Sequence, residues 1–395
     1  MTNILVINSG SSSIKFQLIK MPSETVVASG LVERIGLPNA CLHYKSAKFN
    51  LSEEMNIANH SEGLKEVAKL LMDAENGVIK DVGDIKAVGH RVVHGGSTFF
   101  ETVEIDATVK AKIKELFSLA PLHNPPNYTG IEVAEEIFTK AKQVAVFDTA
   151  FHATIPTKAH KYAIPNEFLE KHNIQVYGFH GTSHKYVSEK AIEFIKKYDS
   201  KLITVHLGNG CSITAVKDGK SVDHSLGFGP VNGLIMGTRS GDIDQSVIFY
   251  MMDTLGYTSK EVSEILHKKS GMLGLTGFSD LRDIEAEAAK GNRECKLALE
   301  MNAYRIKKYI GAYATAMNGL DALVFTAGIG ENSSTLREMV CKDMEYLGIY
   351  LEDYKNKVKS KEIRVISKEK SKVTVLVVPT NEELEIARQV FGMIL

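Results

Sequence analysis

Apolar residues gather into short runs around small polar turns at two places almost half a chain apart. These are Ile4-Leu-Val-Ile-Asn-Ser-Gly-Ser-Ser-Ser-Ile-Lys-Phe and Leu202-Ile-Thr-Val-His-Leu-Gly-Asn-Gly-Cys-Ser-Ile-Thr. Each reads as a buried strand, a Gly-rich turn and a returning strand. Ile4 to Gly10 align on Leu202 to Gly208 without a gap, and dropping one residue then superposes Ile14 on Ile213, so the chain reads as internally duplicated. Beyond the first hairpin, over residues 3 to 20, helical spacing predicts helices at Ser61–Asp73 and Ala107–Phe117, and buried runs predict strands at Ile85–Val93 and Gln143–Phe147. The second half predicts strands from about Lys201, a hairpin at Asp218-Gly219, helices from about Ser246 to Leu266 and Glu294 to Asn318, and strands at Ala322–Thr326 and Val373–Val378. The Lys- and Glu-rich stretch Leu347–Lys372 predicts a solvated surface segment. Thr380 followed by Glu383 predicts a capping box that opens a last helix.

A chain of 395 residues exceeds one core of ordinary size, and duplication makes two domains the natural division. The expected division is 1–150 plus 383–395 for an N-terminal domain and 151–382 for a C-terminal one. A formal net charge of −1 with 24% charged residues argues against a broad nucleic-acid or membrane footprint, so any anion site is local. Cys41, Cys211, Cys295 and Cys341 lack metal or disulfide spacing and read as reduced thiols. With no basic leader and no apolar stretch of spanning length, the expectation is a soluble, cytoplasmic protein.

Turns built from small residues bring backbone N–H groups close to an anion, and two such turns could hold a polyphosphate. A third element, Val324-Phe-Thr-Ala-Gly-Ile-Gly-Glu-Asn-Ser, places Gly328 and Gly330 between a strand and a helix starting near Ser333, an arrangement suited to a nucleotide. Arg91, Arg239 and Arg282 each lie within three residues of Gly or Ser, where a guanidinium fork can be aimed at carboxylate or phosphate. The competing reading for each is a salt bridge within its own turn.

Nine segments in order carry a resemblance. They are Asn8-Ser-Gly-Ser-Ser-Ser with Lys15, Gly89-His-Arg-Val-Val-His-Gly-Gly, Pro121-Leu-His-Asn-Pro-Pro-Asn, Val146-Phe-Asp-Thr-Ala-Phe-His, Gly178-Phe-His-Gly-Thr-Ser-His, His206-Leu-Gly-Asn-Gly, Met236-Gly-Thr-Arg-Ser-Gly-Asp-Ile-Asp, Gly328-Ile-Gly-Glu-Asn and Pro379-Thr-Asn-Glu-Glu. Together they resemble the acetate kinase (acetokinase) family from end to end. The resemblance implies an α/β protein of two duplicated actin-like (ribonuclease H-like) domains around a nucleotide cleft, with the last helix returning to the first domain. It also implies Mg²⁺ as cofactor, with Mn²⁺ as a substitute, ATP/ADP and acetate as substrates, and a homodimer.

By the same resemblance, Arg91 binds the acetate carboxylate, while Arg239 and His180 stabilise the transferring phosphoryl group and Asp148 is the essential carboxylate. Lys15 and the loop of His206, Leu207, Gly208, Asn209 and Gly210 contact phosphates. Asp280, Leu281 and Arg282, with Gly328, Ile329, Gly330, Glu331 and Asn332, enclose the adenosine. Asn8 and Glu382 anchor the metal, and Val93, Leu122, Phe179 and Pro230 surround the acyl methyl group. His123 either serves the site or braces its loop.

The chemistry fits these residue types. Acetate is already ionised at neutral pH, so the obstacle is bringing one anion against another rather than removing a proton. At about 4 Å and an effective dielectric of about 20, two unit charges repel by roughly 4 kcal/mol, about three decades in rate. Asp148 is therefore expected to orient a metal-bound water or neighbouring arginines rather than act as a general base. Glu383, at the capping-box position, leaves Glu382 as the ligand candidate. Phe228-Gly-Pro-Val-Asn-Gly departs from the family's common Thr-Pro-Leu-Glu-Gly, which bears on acyl-chain preference. Propionate or butyrate kinase is the near alternative, and a sugar kinase the more distant one.

Overall fold

The computed structural model describes all residues from Met1 to Leu395. The chain divides into two compact units, Met1–Phe151 with Asn381–Leu395, and His152–Thr380. Glu382 therefore belongs to the first unit, where the expected division had left it at the end of the second. Its place follows from the helix Glu382–Ile394, which starts there and packs on strands of the first sheet.

The first unit carries strands β1 (Thr2–Ser9), β2 (Ser13–Met21), β3 (Thr25–Glu33), β4 (Ala40–Ser46), β5 (Asn50–Met55), β6 (Ile85–Val92), β7 (Val103–Glu104) and β8 (Lys142–Phe147). They form one sheet in the order β5-β4-β3-β2-β1-β6-β8-β7. The second unit carries β9 (Lys201–Leu207), β10 (Cys211–Lys217), β11 (Lys220–His224), β12 (Ala322–Thr326), β13 (Arg364–Val365) and β14 (Thr374–Val377), ordered β11-β10-β9-β12-β14-β13.

The two sheets share one plan. β3-β2-β1 and β11-β10-β9 are antiparallel, β1-β6-β8 and β9-β12-β14 are parallel, and each parallel edge takes a short antiparallel strand, β7 or β13. The duplication is thus a property of topology as well as of sequence.

One detail of the alignment is corrected. Ile7 pairs with Phe16 and Val205 with Ile213, so with the first strands aligned as above Ile213 corresponds to Phe16, not to Ile14. The second turn is the shorter one, since Ser9 pairs with Ile14 but Leu207 with Cys211. A two-residue slip keeps every side chain on its original face, which is why the apolar pattern did not expose it.

On one face of the first sheet, Leu64, Val67 and Leu71 of the helix His60–Leu71 and Val133 and Ala134 of the helix Asn124–Ile137 join Leu5, Ile14, Phe16 and Leu18 in a single core. The second helix was not foreseen. Asn-Pro-Pro reads as a loop, yet proline at the first helical positions removes only N–H groups that have no intrahelical partner. The helix Gly181–Ile195, hidden behind a Gly-rich motif, was missed for a similar reason.

Three further expectations change. The helix predicted over Ser246–Leu266 is two helices, Gln245–Asp253 and Ser259–Lys268, broken where Gly256 takes φ +77° and Thr258 with Glu261 forms a capping box. The last helix is capped by Asn381, whose side chain accepts from the Leu384 N–H, while Glu383 turns to Lys15 instead of capping. Leu347–Lys372 is not wholly solvated, because it contains a helix at Asp353–Lys357, strand β13 and the buried residues Asn356 and Ile366. All four cysteines are free thiols, and no helix is long and apolar enough to cross a membrane.

Candidate active site

In the first unit, charged groups collect where β1, β6 and β8 end and the last helix begins. Asn8 lies near the end of β1, Arg91 near the end of β6, and Asp148 directly after β8. The Arg91 guanidinium donates from Nε to both Asp148 oxygens, at 3.1 and 3.0 Å, and from Nη2 to Oδ2 at 2.5 Å. Nη1 also donates to Asn8 Oδ1 at 3.4 Å. Asp148 is only 1% exposed and the Arg91 side chain 18%, so this fork-on-carboxylate pair is held in a setting of low dielectric.

Burial works against the Arg91 charge, but Asp148, Glu382 and Glu383 together outweigh it and raise the pKa further. Glu382 responds in the opposite sense. Burial raises its pKa, Arg91 and Lys15 oppose that, and Asp148 and Glu383 reinforce it. Lys15, half exposed at 52%, sits 2.5 Å from Glu383. Three carboxyl groups, Asp148, Glu382 and Glu383, thus share this corner with two cations, Arg91 and Lys15, which pair with Asp148 and Glu383.

Two asparagines of the helix Asn124–Ile137 hold the backbone of this corner. Asn127 accepts from Val93 N–H at 3.0 Å and donates to Ser9 O at 2.6 Å, and Asn124 accepts from His94 N–H and donates to His94 O, both at 3.0 Å. Neither was foreseen. Their i,i+3 spacing within Asn124-Pro-Pro-Asn127 is the signal that would have shown them on one helical face. His123 is the N-cap of that helix, Val93 is buried, and Leu122 is 59% exposed.

In the second unit, His180 takes a left-handed conformation (φ 55°) at the start of the helix Gly181–Ile195 and stacks on His206, with ring centroids 4.4 Å apart and planes at 13°. A Cβ at Gly210 would lie 3.4 Å from His180 Nε2 and 3.9 Å from Arg239 Nη1, so this turn runs within van der Waals reach of both side chains. Arg239 Nη1 donates to Pro230 O at 2.9 Å, and no carboxylate of its own unit pairs with it. Burial lowers its pKa, with Cys211 opposing. Asn209 is exposed, and its carbonyl accepts from Gly237 N–H at 3.0 Å.

Asp280 caps the helix Leu281–Ala289 and engages Arg282 through its N–H at 2.9 Å and its guanidinium at 2.5 to 3.2 Å. Hydrogen bonds from Arg282 hold the Asp280 pKa down at about 2. Arg282 thus matches the salt bridge within a turn that the sequence had left open, whereas Arg91 and Arg239 do not. Gly328 to Asn332 form a short helix, Ala327–Asn332, rather than a loop, and Ser333 caps a second helix, Ser334–Cys341. Gly328 is open to solvent, while Gly330 is buried, and a Cβ added there would lie 3.6 Å from Val205 O. Glu331 accepts from Thr380 N–H at 3.1 Å.

A family model described as the acetokinase family matches residues 3–388. The chain belongs to the acetokinase family. The acetate kinase of Flavobacterium johnsoniae is 63% identical over 391 residues, covering 99% of both chains. The solved acetate kinase of Porphyromonas gingivalis superposes with a TM-score of 0.94 at 46% identity, covering all of both chains. A propionate kinase of Francisella tularensis gives 0.93 at 43% identity, over 98% of this chain and 99% of that one. Such near-equal scores mean that backbone shape does not separate acids differing by one methylene.

Within this acetokinase, the residues expected around the acyl methyl group divide evenly, Val93 and Leu122 in the first unit, Phe179 and Pro230 in the second. Phe179 is buried, its N–H donating to His224 Nε2 at 3.1 Å and its carbonyl 2.9 Å from His152 Nε2.

Buried histidines give the fold an acid-sensitive core. Burial pushes His90 and His94 down to about 4, and burial followed by neighbouring histidines holds His184 and His224 well below the usual value. An unfolded histidine titrates near about 6.5, so between that pH and about 4 the unfolded chain binds more protons than the folded one. Stability is therefore lost as pH falls, by about 1.4 kcal/mol per pH unit for each such group. The urea midpoint is expected to drop steeply between about pH 6.5 and 4, and less steeply in His90→Gln. A flat midpoint over that range would show these histidines to be charged in the folded chain.

Proposed function

We propose that this chain transfers the γ-phosphoryl group of ATP reversibly to acetate, with Mg²⁺, by direct in-line displacement. Acetate kinase activity, with a carboxyl group as acceptor, is the activity of its family and high-identity relatives. An acetate oxygen forms the new bond to the γ-phosphorus as the bond to the bridging oxygen breaks, giving acetyl phosphate and ADP with no proton to remove. The single observation that carries the residue-level reading is Arg91, a largely buried guanidinium set by three contacts to Asp148.

In this reading Arg91 takes the acetate carboxylate and Asp148 orients Arg91, rather than serving as a general base. Arg239 and His180 meet charge on the phosphoryl group in flight, as donors fixed before the reaction. Lys15 and the loop His206 to Gly210 bind phosphates, and Asp280 to Arg282 with Gly328 to Asn332 bind the nucleoside. Glu382, which feels the charges of Arg91 and Lys15, and Asn8, whose side-chain oxygen accepts from Arg91, would hold Mg²⁺. When bound, the cation neutralises phosphate charge. Val93, Leu122, Phe179 and Pro230 limit acyl length, and one methylene in such a setting is worth only about 1 to 3 kcal/mol. A homodimer and a cytoplasmic location complete the proposal, both resting on the family resemblance.

Hydroxylamine trapping of acyl phosphate tests it across acetate, propionate, butyrate and glycerol. Acetyl hydroxamate that requires ATP is the expected product, with turnover falling as the acid lengthens. Phosphorylation of glycerol without any hydroxamate would reject the acyl-kinase reading. Faster turnover with propionate than with acetate would move the assignment to a propionate kinase.

A further inference from the structure

His180 and His206 each have Nδ1 tied to a fully buried serine. His180 Nδ1 is 2.9 Å from Ser212 Oγ, and His206 Nδ1 is 2.8 Å from Ser183 Oγ. Each serine in turn meets a further partner. Ser212 Oγ lies 2.7 Å from His184 Nε2, whose Nδ1 lies 2.7 Å from Thr204 Oγ1, and Ser183 Oγ lies 2.9 Å from Thr380 Oγ1. The Nε2 sides face the glycine turn, since Cβ atoms at Gly210 and Gly208 would lie 3.4 and 3.8 Å from His180 Nε2 and His206 Nε2.

We propose that Ser212 and Ser183 are positioning residues that lock His180 and His206 as the Nε2–H tautomers, so that each neutral ring donates a hydrogen bond toward the phosphate turn. The direction of the Ser212 relay follows from counting hydrogens. A serine hydroxyl has one hydrogen and here faces two ring nitrogens, so one ring must donate to it. His184 is neutral because burial, then His152 and His206, keep its pKa well below the usual value.

If His180 Nδ1–H donated to Ser212, Ser212 would donate to His184 Nε2 and His184 Nδ1–H to Thr204. The fully buried Thr204 hydroxyl hydrogen would then be left with no acceptor. In the opposite sense Thr204 donates to His184 Nδ1, His184 Nε2–H to Ser212, and Ser212 to His180 Nδ1, and every hydrogen is used. The same sense along Thr380, Ser183 and His206 also uses every hydroxyl hydrogen. Two stacked rings can then present N–H groups to an anion without both carrying charge, which avoids like-charge repulsion at 4.4 Å.

This inference rests on the proposed placing of phosphate at the His206 to Gly210 turn, and its test separates the two. Two-bond ¹H–¹⁵N correlation on the full chain with ¹⁵N-labelled histidine, at about pH 8 where a histidine is neutral, reads the tautomers directly. Single His180→Gln and His206→Gln variants assign the signals. Both rings are expected as Nε2–H, with Ser212→Ala shifting His180 toward the other tautomer and Ser183→Ala doing so for His206. Each serine variant is expected to lower kcat about tenfold or more, less than loss of a whole donor, with the acetate KM within about threefold. Ser183→Thr, which restores the hydroxyl, is expected to recover both the tautomer and the rate.

An Nδ1–H tautomer at His180 in the unaltered chain would overturn the proposal, even if the serine variants fail to fold. So would alanine variants with unchanged tautomers and unchanged kcat. Nε2–H tautomers in a chain that forms no acetyl hydroxamate would uphold the relay and overturn the kinase reading instead.

Discussion

Arg239→Ala is expected to lower kcat about 10³-fold while leaving the ATP KM within about threefold. The magnitude is that of an arginine acting on a transferring phosphoryl group, at the lower end of the range for such residues. In its own unit Arg239 has no carboxylate partner, and Nη1 alone is engaged, with Pro230 O and Met236 Sδ, so Nε and Nη2 make no hydrogen bond there. Its cost to the fold is one ordinary hydrogen bond and a weak one to sulfur, about 1 to 2 kcal/mol, too little for unfolding to imitate a catalytic loss. Arg239→Lys keeps the charge but loses the planar fork, and is expected to recover only part of the rate. Steady-state kinetics with calorimetric ADP binding check this. Nucleotide affinity falling in step with kcat would instead make Arg239 a ground-state ligand.

Arg91→Ala is expected to strike activity and stability together. Removing the guanidinium strips Asp148, 1% exposed, of three hydrogen bonds and a positive charge beside Glu382 and Glu383. Breaking a buried pair from one side costs about 3 to 5 kcal/mol, or about 4 to 6 °C in melting temperature for a protein of this size. Acetate turnover should fall to background. The double variant Arg91→Ala/Asp148→Asn removes the stranded charge and should regain part of the melting temperature while staying inactive. A single variant that melts like the unaltered chain would show that Asp148 finds its compensation elsewhere.

Much of the fold was legible because its signals are local. The strands Ile85–Val92 and Ala322–Thr326 are short apolar runs, and the helix Arg293–Ala316 is a long periodic one. The misses share a cause. Asn124-Pro-Pro and Gly178-Phe-His-Gly look like loops because Pro and Gly punctuate most chains, yet here they open helices whose first residues do the positioning. Thr380 was given a capping role on spacing alone, but its hydroxyl is bonded to Ser183, and Asn381, one residue on, has the side chain that reaches the Leu384 N–H.

The same division runs through the candidate site. Arg91, His180 and Arg239 stand out in sequence because charged or imidazole groups within two residues of glycine are uncommon outside sites, and Asp148 because it directly follows a buried apolar strand. Asn124, Asn127, Ser183, Ser212 and His184 carry no such mark, since each is an ordinary polar residue until its partner is known. The sequence alone determined the family, the duplication and the chemical types at the site, all of which are written in residue order and short-range periodicity. Tertiary structure alone decided that Asp148 pairs with Arg91 and that buried serines stand behind both stacked histidines. A hydrogen-bond partner is chosen by distance and direction across residues far apart in the chain, and neither quantity exists until the sheets have formed.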